Sequence, residues 1–186
     1  MDNAESSYRR FAAGDGKAFD EILDAYNESL IFFIRRYVHS LDVAEDIAED
    51  CFVELIVNPR RYNFKVCLKT YLFTIARNKA VDYIRHNAVL ELSPLDEHIH
   101  KSAEYIGFEQ RVLNDEKRKA VNRAVESLCD DMRTAVHLIY FEQMSYEETA
   151  RIMHKNRKQI ENLAYRARKQ LRQILTEEGW NDEDQS

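Results

Sequence analysis

The chain has 186 residues, enough for one or two small domains with real cores, and carries only 4 Gly and 2 Pro, too few breakers for a turn-rich sheet protein. Its net charge of -6 argues against a uniformly basic nucleic-acid binder. Cys51, Cys67 and Cys129, odd in number and widely spaced, argue against a disulfide framework or a metal knuckle. No apolar run nears the roughly 18 residues of a membrane span, and the opening MDNAESSYRR lacks a signal-peptide profile. An all-α protein acting in the cytoplasm, without membrane insertion, cofactor or metal, is expected.

In chain order, Phe19, Ile22, Leu23, Tyr26, Leu30, Phe33, Ile34 and Tyr37 recur at helical spacing and predict a helix over 19–37 with a broad buried face. Asp42 and Glu45 have capping-box spacing. They predict a second helix, with Ala44, Ile47, Ala48, Cys51 and Leu55 inward. Asn58-Pro59 ends it, because the residue before proline is pushed out of the helical region. A polar loop with aromatic residues follows, Arg60 to Lys65. The next helix is expected over 66–86, with Leu68, Leu72, Ile75, Ala76, Ala80 and Ile84 inward and Thr74, Asn78, Asp82 and Arg85 outward.

Periodicity then weakens around Ser93-Pro94 and several acids, so residues 89–107 read as a linker between a first domain, 1–88, and a second, 108–176. The second domain should open with a helix over 108–127. Met132, Ala135, Val136, Ile139 and Tyr140 form the stripe of another over 130–143. Ser145 with Glu148 is a second capping-box pattern, and the helix it opens should end near His154-Lys155-Asn156. The last helix, from about Arg157 to Leu175, has Ile160, Ala164, Ala167, Leu171 and Ile174 on one side. Lys158, Asn162, Tyr165, Lys169 and Arg172 lie on the other. Two helices meeting at a short polar turn, the second basic, have the form of a helix-turn-helix that reads DNA. From pattern alone a solvated basic surface helix competes with that reading, since the turn lacks the usual Gly. An acidic tail, 177–186, closes the chain.

Charge is segregated along the chain. From Asp15 to Ile56 there are 11 acids against 3 bases, whereas Asn58 to Asn87 carries 7 Lys or Arg against Asp82 alone. Ala150 to Arg172 carries 8 bases against only Glu161. Such alternation fits a chain that holds DNA in two places and offers an acidic surface to another partner.

Three stretches, DVAEDIAEDCFVEL (Asp42 to Leu55), TYLFTIARNKAVDYIR (Thr70 to Arg85) and SYEETARIM with YRARKQL (Ser145 to Leu171), resemble, in this order, the sigma-70 family of bacterial RNA polymerase sigma factors, extracytoplasmic-function group. The resemblance runs from about Phe19 to Leu175. It implies two helical domains, a region 2 bundle and a region 4 helix-turn-helix, and a non-enzymatic initiation subunit of RNA polymerase.

Its implied partners are core RNA polymerase, at the beta-prime clamp and the beta flap, promoter DNA, and an anti-sigma protein. Asp46, Glu49, Asp50 and Phe52 match the positions that dock on the clamp. Arg61, Tyr62, Asn63, Phe64 and Lys65 match the loop that opens the minus-ten element and captures an unstacked base. Asn78, Lys79, Asp82 and Arg85 match the helix that follows along the DNA. Lys155, Arg157, Lys158, Glu161, Asn162, Tyr165, Arg166 and Lys169 match the reader of the minus-thirty-five element. The chain departs from the family pattern at Tyr71, where Trp is frequent, at Phe73-Thr74, and at Lys155, Gln159, Glu161 and Leu163. A decoy that only binds an anti-sigma protein, or a stand-alone helix-turn-helix regulator, are the competing readings.

Overall fold

The computed structural model describes residues 3–91 and 115–179 and divides the chain into two compact units, Met1–Glu104 and Tyr105–Ser186. The expected linker around Ser93-Pro94, the start of the helix at Phe108 and most of the acidic tail lie outside the described residues. Every described element is helical.

The first unit contains α1 (Asn3–Ala12), α2 (Lys17–Val38), α3 (Leu41–Val57) and α4 (Leu68–Glu91). Helix α1 has no counterpart among the sequence expectations. It is short and mostly polar, and Ala4, Ser7 and Tyr8 of it are buried. At its end the chain turns through Gly14, whose φ of 106° suits a residue without a Cβ. The α2 stripe appears as expected, with Ile22, Leu30, Phe33 and Ile34 fully buried.

His39, at φ 57°, closes α2, its N–H donating to the Arg35 carbonyl. Ser40, not Asp42, then caps α3, its hydroxyl accepting from the Val43 N–H at 3.5 Å. The expected Asp42–Glu45 box is thus replaced by a serine two residues earlier. Helix α3 ends at Asn58, before Pro59. Its Ala44, Ala48 and Cys51 let the helices approach closely, while Leu55 and, from α4, Leu68, Leu72 and Phe73 fill the centre. Burying each such large side chain contributes roughly 1.5–3 kcal/mol. Ile84, expected inward, is instead exposed.

The second unit contains α5 (Asp115–Glu126), α6 (Asp130–Val136), a π-helical turn (His137–Phe141), α7 (Tyr146–Ile152) and α8 (Arg157–Glu177). Val125, Leu128, Met132, Val136 and Ala167 form its core, with Val121, Leu163 and Leu171 packed against them. Arg133 fastens α6 to the end of α5, donating to the carbonyls of Glu126 (2.9 Å) and Leu128 (2.8 Å).

The single helix expected over 130–143 is broken by the π turn. That turn holds one extra residue, so the register slips: Leu138 is buried, while Tyr140, expected in the core, and Phe141 are about half exposed. A strict 3.6-residue period cannot anticipate the slip.

Candidate nucleic-acid and partner interfaces

Outward residues of α3 form one continuous stripe. Asp46, Glu49 and Asp50 occupy its first half, and Val53, Ile56 and Val57, all large exposed hydrophobics, continue it to the end of the helix. Helical spacing places these six on one face. Phe52 is not part of it. It is buried edge-on against Phe19, with ring centroids 6.2 Å apart, so it supports α3 from within and is not available as a docking residue. Cys51, beside it, is buried and its thiol is pushed up to about 12, chiefly by burial, which leaves it protonated and inert.

Helix α3 adjoins the basic segment through two ion pairs, one of them from the stripe. Lys79 Nζ of α4 lies 3.0 Å from Asp50 Oδ2, and Arg61 pairs with Glu54. Of the acids matched to docking, Asp46 and Glu49 have no such tie among the described residues. On α4, Asn78, Asp82 and Arg85 are exposed, and Asp82 and Arg85 face each other at 3.7 Å.

Between α3 and α4 the loop is built around Tyr62. Its ring is buried and its hydroxyl donates to the Val66 carbonyl at 2.9 Å, drawing the two arms of the loop together. Phe64 and Tyr71 stack around it, with centroids at 4.6 and 5.1 Å. Tyr62, expected to meet a base, is therefore the pillar beneath the loop, and the residues it presents outward are Arg61, Asn63 and Lys65.

The Asn63 side chain accepts from the Lys65 N–H at 3.1 Å, an Asx turn. This turn holds Phe64 at φ 61°, a left-handed conformation that costs a residue with a Cβ about 1–2 kcal/mol. Phe73 is fully buried against Phe33 and belongs to the core. Tyr71 is half-buried, and burial raises its phenol above the ordinary range, with a further contribution from Glu54.

In the second unit the helix-turn-helix closes by local hydrogen bonds. The Ser145–Glu148 box is formed: the serine hydroxyl accepts from the Glu148 N–H, and the Glu148 carboxylate accepts from the Ser145 N–H at 2.9 Å. The turn solves its lack of Gly with His154, which takes φ 52° itself. The Lys155 N–H then donates to the Ala150 carbonyl (2.9 Å) and the His154 N–H to the Arg151 carbonyl (3.2 Å), as in a Schellman cap. Asn156 starts α8 through a second reciprocal box with Gln159, at 2.9 and 2.8 Å. The Asn-x-x-Gln spacing was the signal for it in the sequence.

On α8, Ile160, Ala164 and Ala167 are buried, and Arg157, Lys158, Asn162, Tyr165, Arg166 and Lys169 are exposed. Arg151 and Arg168, also exposed, add cations outside the predicted set. Lys155 is set apart, paired with Asp131 of α6 at 2.9 Å. Glu161 is engaged by both Arg157 Nε (2.9 Å) and Lys158 Nζ (3.3 Å), and Arg157 reaches back to Glu147 of α7. The hydrogen bond from Arg157, followed by that from Lys158, holds the Glu161 carboxyl below the usual range. The first turn of α8 thus carries an internally neutralised cluster, and Arg166, Arg168 and Lys169 follow it on the exposed side.

One unit thus carries an acidic and apolar stripe beside a basic aromatic loop, and the other a basic helix-turn-helix. Known proteins supply the class. The Sigma-70 region 2 model matches residues 22–89 and the Sigma-70, region 4 model matches residues 118–171. The chain is 30% identical over 152 residues to the ECF RNA polymerase sigma-E factor of Escherichia coli, covering 77% of this chain and 79% of that protein. It is 26% identical over 174 residues to the RNA polymerase sigma-H factor of Pseudomonas aeruginosa, covering 89% and 90%.

Among solved structures, the sigma factor RpoE of Bartonella quintana, in complex with the anti-sigma factor NepR, is similar at a TM-score of 0.72 and 26% identity, over 86% of this chain and 98% of that one. The chain belongs to the sigma-70 family, in its extracytoplasmic-function group, and is a sigma factor. No helix among the described residues is long and apolar enough to cross a membrane.

Proposed function

We propose that the first unit docks on core RNA polymerase through the α3 stripe and opens the minus-ten element with the 58–67 loop, while α8 reads the minus-thirty-five element in duplex DNA. The chain then acts as a regulatory subunit, and the phosphoryl chemistry belongs to the polymerase. One observation carries this reading. Asp46, Glu49 and Asp50 run on into Val53, Ile56 and Val57 along one exposed face of α3. An acid row continued by apolar residues suits a partner surface that is basic at one end and apolar at the other.

Beside it, Arg61, Asn63 and Lys65 supply backbone cations and an amide for a strand leaving the duplex. On α8, Asn162, Tyr165, Arg166 and Lys169 stand on the side away from the core, where a helix lying in the major groove meets base edges and phosphates. An anti-sigma protein is part of the same proposal, supported by the complex of the similar Bartonella sigma factor.

Reconstitution with core polymerase and mapping of transcript starts on a genomic DNA library tests the whole reading. Promoter-specific starts are expected, and their absence rejects it. Reversing Asp46 and Asp50 to Lys should weaken binding to core polymerase by at least about tenfold. Unchanged affinity rejects the docking role of α3.

A further inference from the structure

We propose that α1 is the positioning element of the minus-ten loop, with Tyr8 setting the loop's base and Arg9 holding Phe64 in place. This deepens, and rests on, the reading of the 58–67 loop as the part that opens DNA. Tyr8 is almost fully buried, and its hydroxyl is aimed between the carbonyls of Leu55 and Pro59, each at 3.2 Å, where the chain leaves α3 to enter the loop. The Tyr8 ring meets Tyr62 edge-on, with centroids 5.2 Å apart, and Phe64 at 6.1 Å. One residue on, the Arg9 guanidinium carbon sits 3.9 Å from the Phe64 ring centre.

The residue held this way is the one whose backbone is strained, at φ 61°. Such a conformation persists only where the surroundings enforce it. Two of those surroundings, the Tyr8 and Arg9 side chains, come from α1, about fifty residues earlier in the chain.

Helix α1 is itself fastened independently of the loop. Ser7 Oγ donates to Glu21 at 2.6 Å, and Arg10 pairs with Asp15 at 2.7 Å and with Glu21 at 3.0 Å. The loop is therefore held against a post that α2 fixes. Asn63 and Lys65, exposed on either side of Phe64, take their direction from it. Preorganising a capture loop before DNA arrives favours the opening step over the preceding duplex encounter.

The test uses the full chain assembled with core polymerase at a mapped promoter. It measures the affinity of the closed complex and the rate at which minus-ten thymines become reactive to permanganate. Arg9→Ala should slow opening about three- to fivefold, the size expected from one exposed cation–π contact, with closed-complex affinity unchanged and the melting temperature lowered by only a few degrees. Arg9→Lys, which keeps a cation over the ring, should restore most of the rate. Tyr8→Phe, which removes only the hydroxyl, should slow opening in the same way.

An unchanged or faster opening rate in Arg9→Ala and Tyr8→Phe overturns the proposal. Asn63→Ala and Lys65→Ala separate the two levels of inference. If they leave opening untouched, the reading of the loop fails. If they impair it while the α1 variants do not, only the positioning role fails.

Discussion

The two candidate DNA-holding parts are built in opposite ways. In the second unit the helix-turn-helix is assembled from contacts three to five residues apart: the Ser145–Glu148 and Asn156–Gln159 boxes and the left-handed cap at His154. In the first unit two local bonds of the loop, Tyr62 to Val66 and Lys65 to Asn63, are joined by contacts from residues far apart in sequence. Tyr8 reaches Leu55 and Pro59, and Arg9 reaches Phe64. A duplex reader must present a straight, self-sufficient helix to a groove of fixed shape, and local caps suffice. A loop that receives an unstacked strand has no repeating hydrogen bonds of its own, so its shape must be imposed by neighbours.

The comparison can be broken first at the cores. Phe33→Ala should cost about 3–5 kcal/mol and Leu128→Ala about 2–5 kcal/mol. In each full-length variant, hydrogen exchange should lose protection in its own unit while the other keeps it. Loss that spreads to both units would mean that they do not fold as separate cores.

A smaller effect sharpens the local character of the second unit. Asn156→Ala removes one side of a reciprocal cap and should cost about 1 kcal/mol, read as a lower urea midpoint for the second unit alone. Ser40→Ala, which removes one bond of 3.5 Å, should cost less. An equal cost for both would show that cap geometry does not set the difference.

Charge gives the next test. Glu161→Gln releases Lys158 and leaves Arg157 with Glu147 alone, so binding of the free chain to nonspecific duplex should strengthen about two- to threefold at low salt, with a steeper salt dependence. Anisotropy titrations over a salt series read both quantities. Weaker binding would show that Glu161 orders those cations for the phosphates.

The smallest effect is a pH dependence in α1. The hydrogen bond from Arg10 holds the Asp15 carboxyl below its usual range, and the bonds from Ser7 and then Arg10 do the same for Glu21. A depressed carboxylate contributes stability that is present above its unfolded value, about pH 4, and is lost as pH falls through the lower folded value. Acidification should therefore loosen α1 from α2, seen as faster exchange of its amides. The Ser40 cap of α3, which carries no carboxylate, should hold over the same range. Loss of both together would point to a general acid transition.

Much of the architecture could be read from the chain alone because helices announce themselves locally. The stripes of α2, α3 and α8 lie in the order expected, and Pro59 marks the end of α3. The expectations failed where a local pattern had a competitor. Ser40 outcompeted Asp42 as a cap because a hydroxyl just before the first turn can accept from an N–H there. Tyr140 turned outward because the π turn added a residue. Phe52 and Tyr62, legible as apolar and aromatic, gave no sign of which side they face, and packing buried both.

By itself, the sequence of this sigma factor determined the helical class, the order of acidic and basic segments and the pair of capped helices near the end, since propensity, caps and 3.6-residue spacing act within a few residues. Only the tertiary structure decided which acids of α3 continue into an exposed apolar stripe, which aromatic residues became pillars, and that α1 belongs to the loop. Those outcomes depend on contacts between residues tens of positions apart, and no local spacing records them.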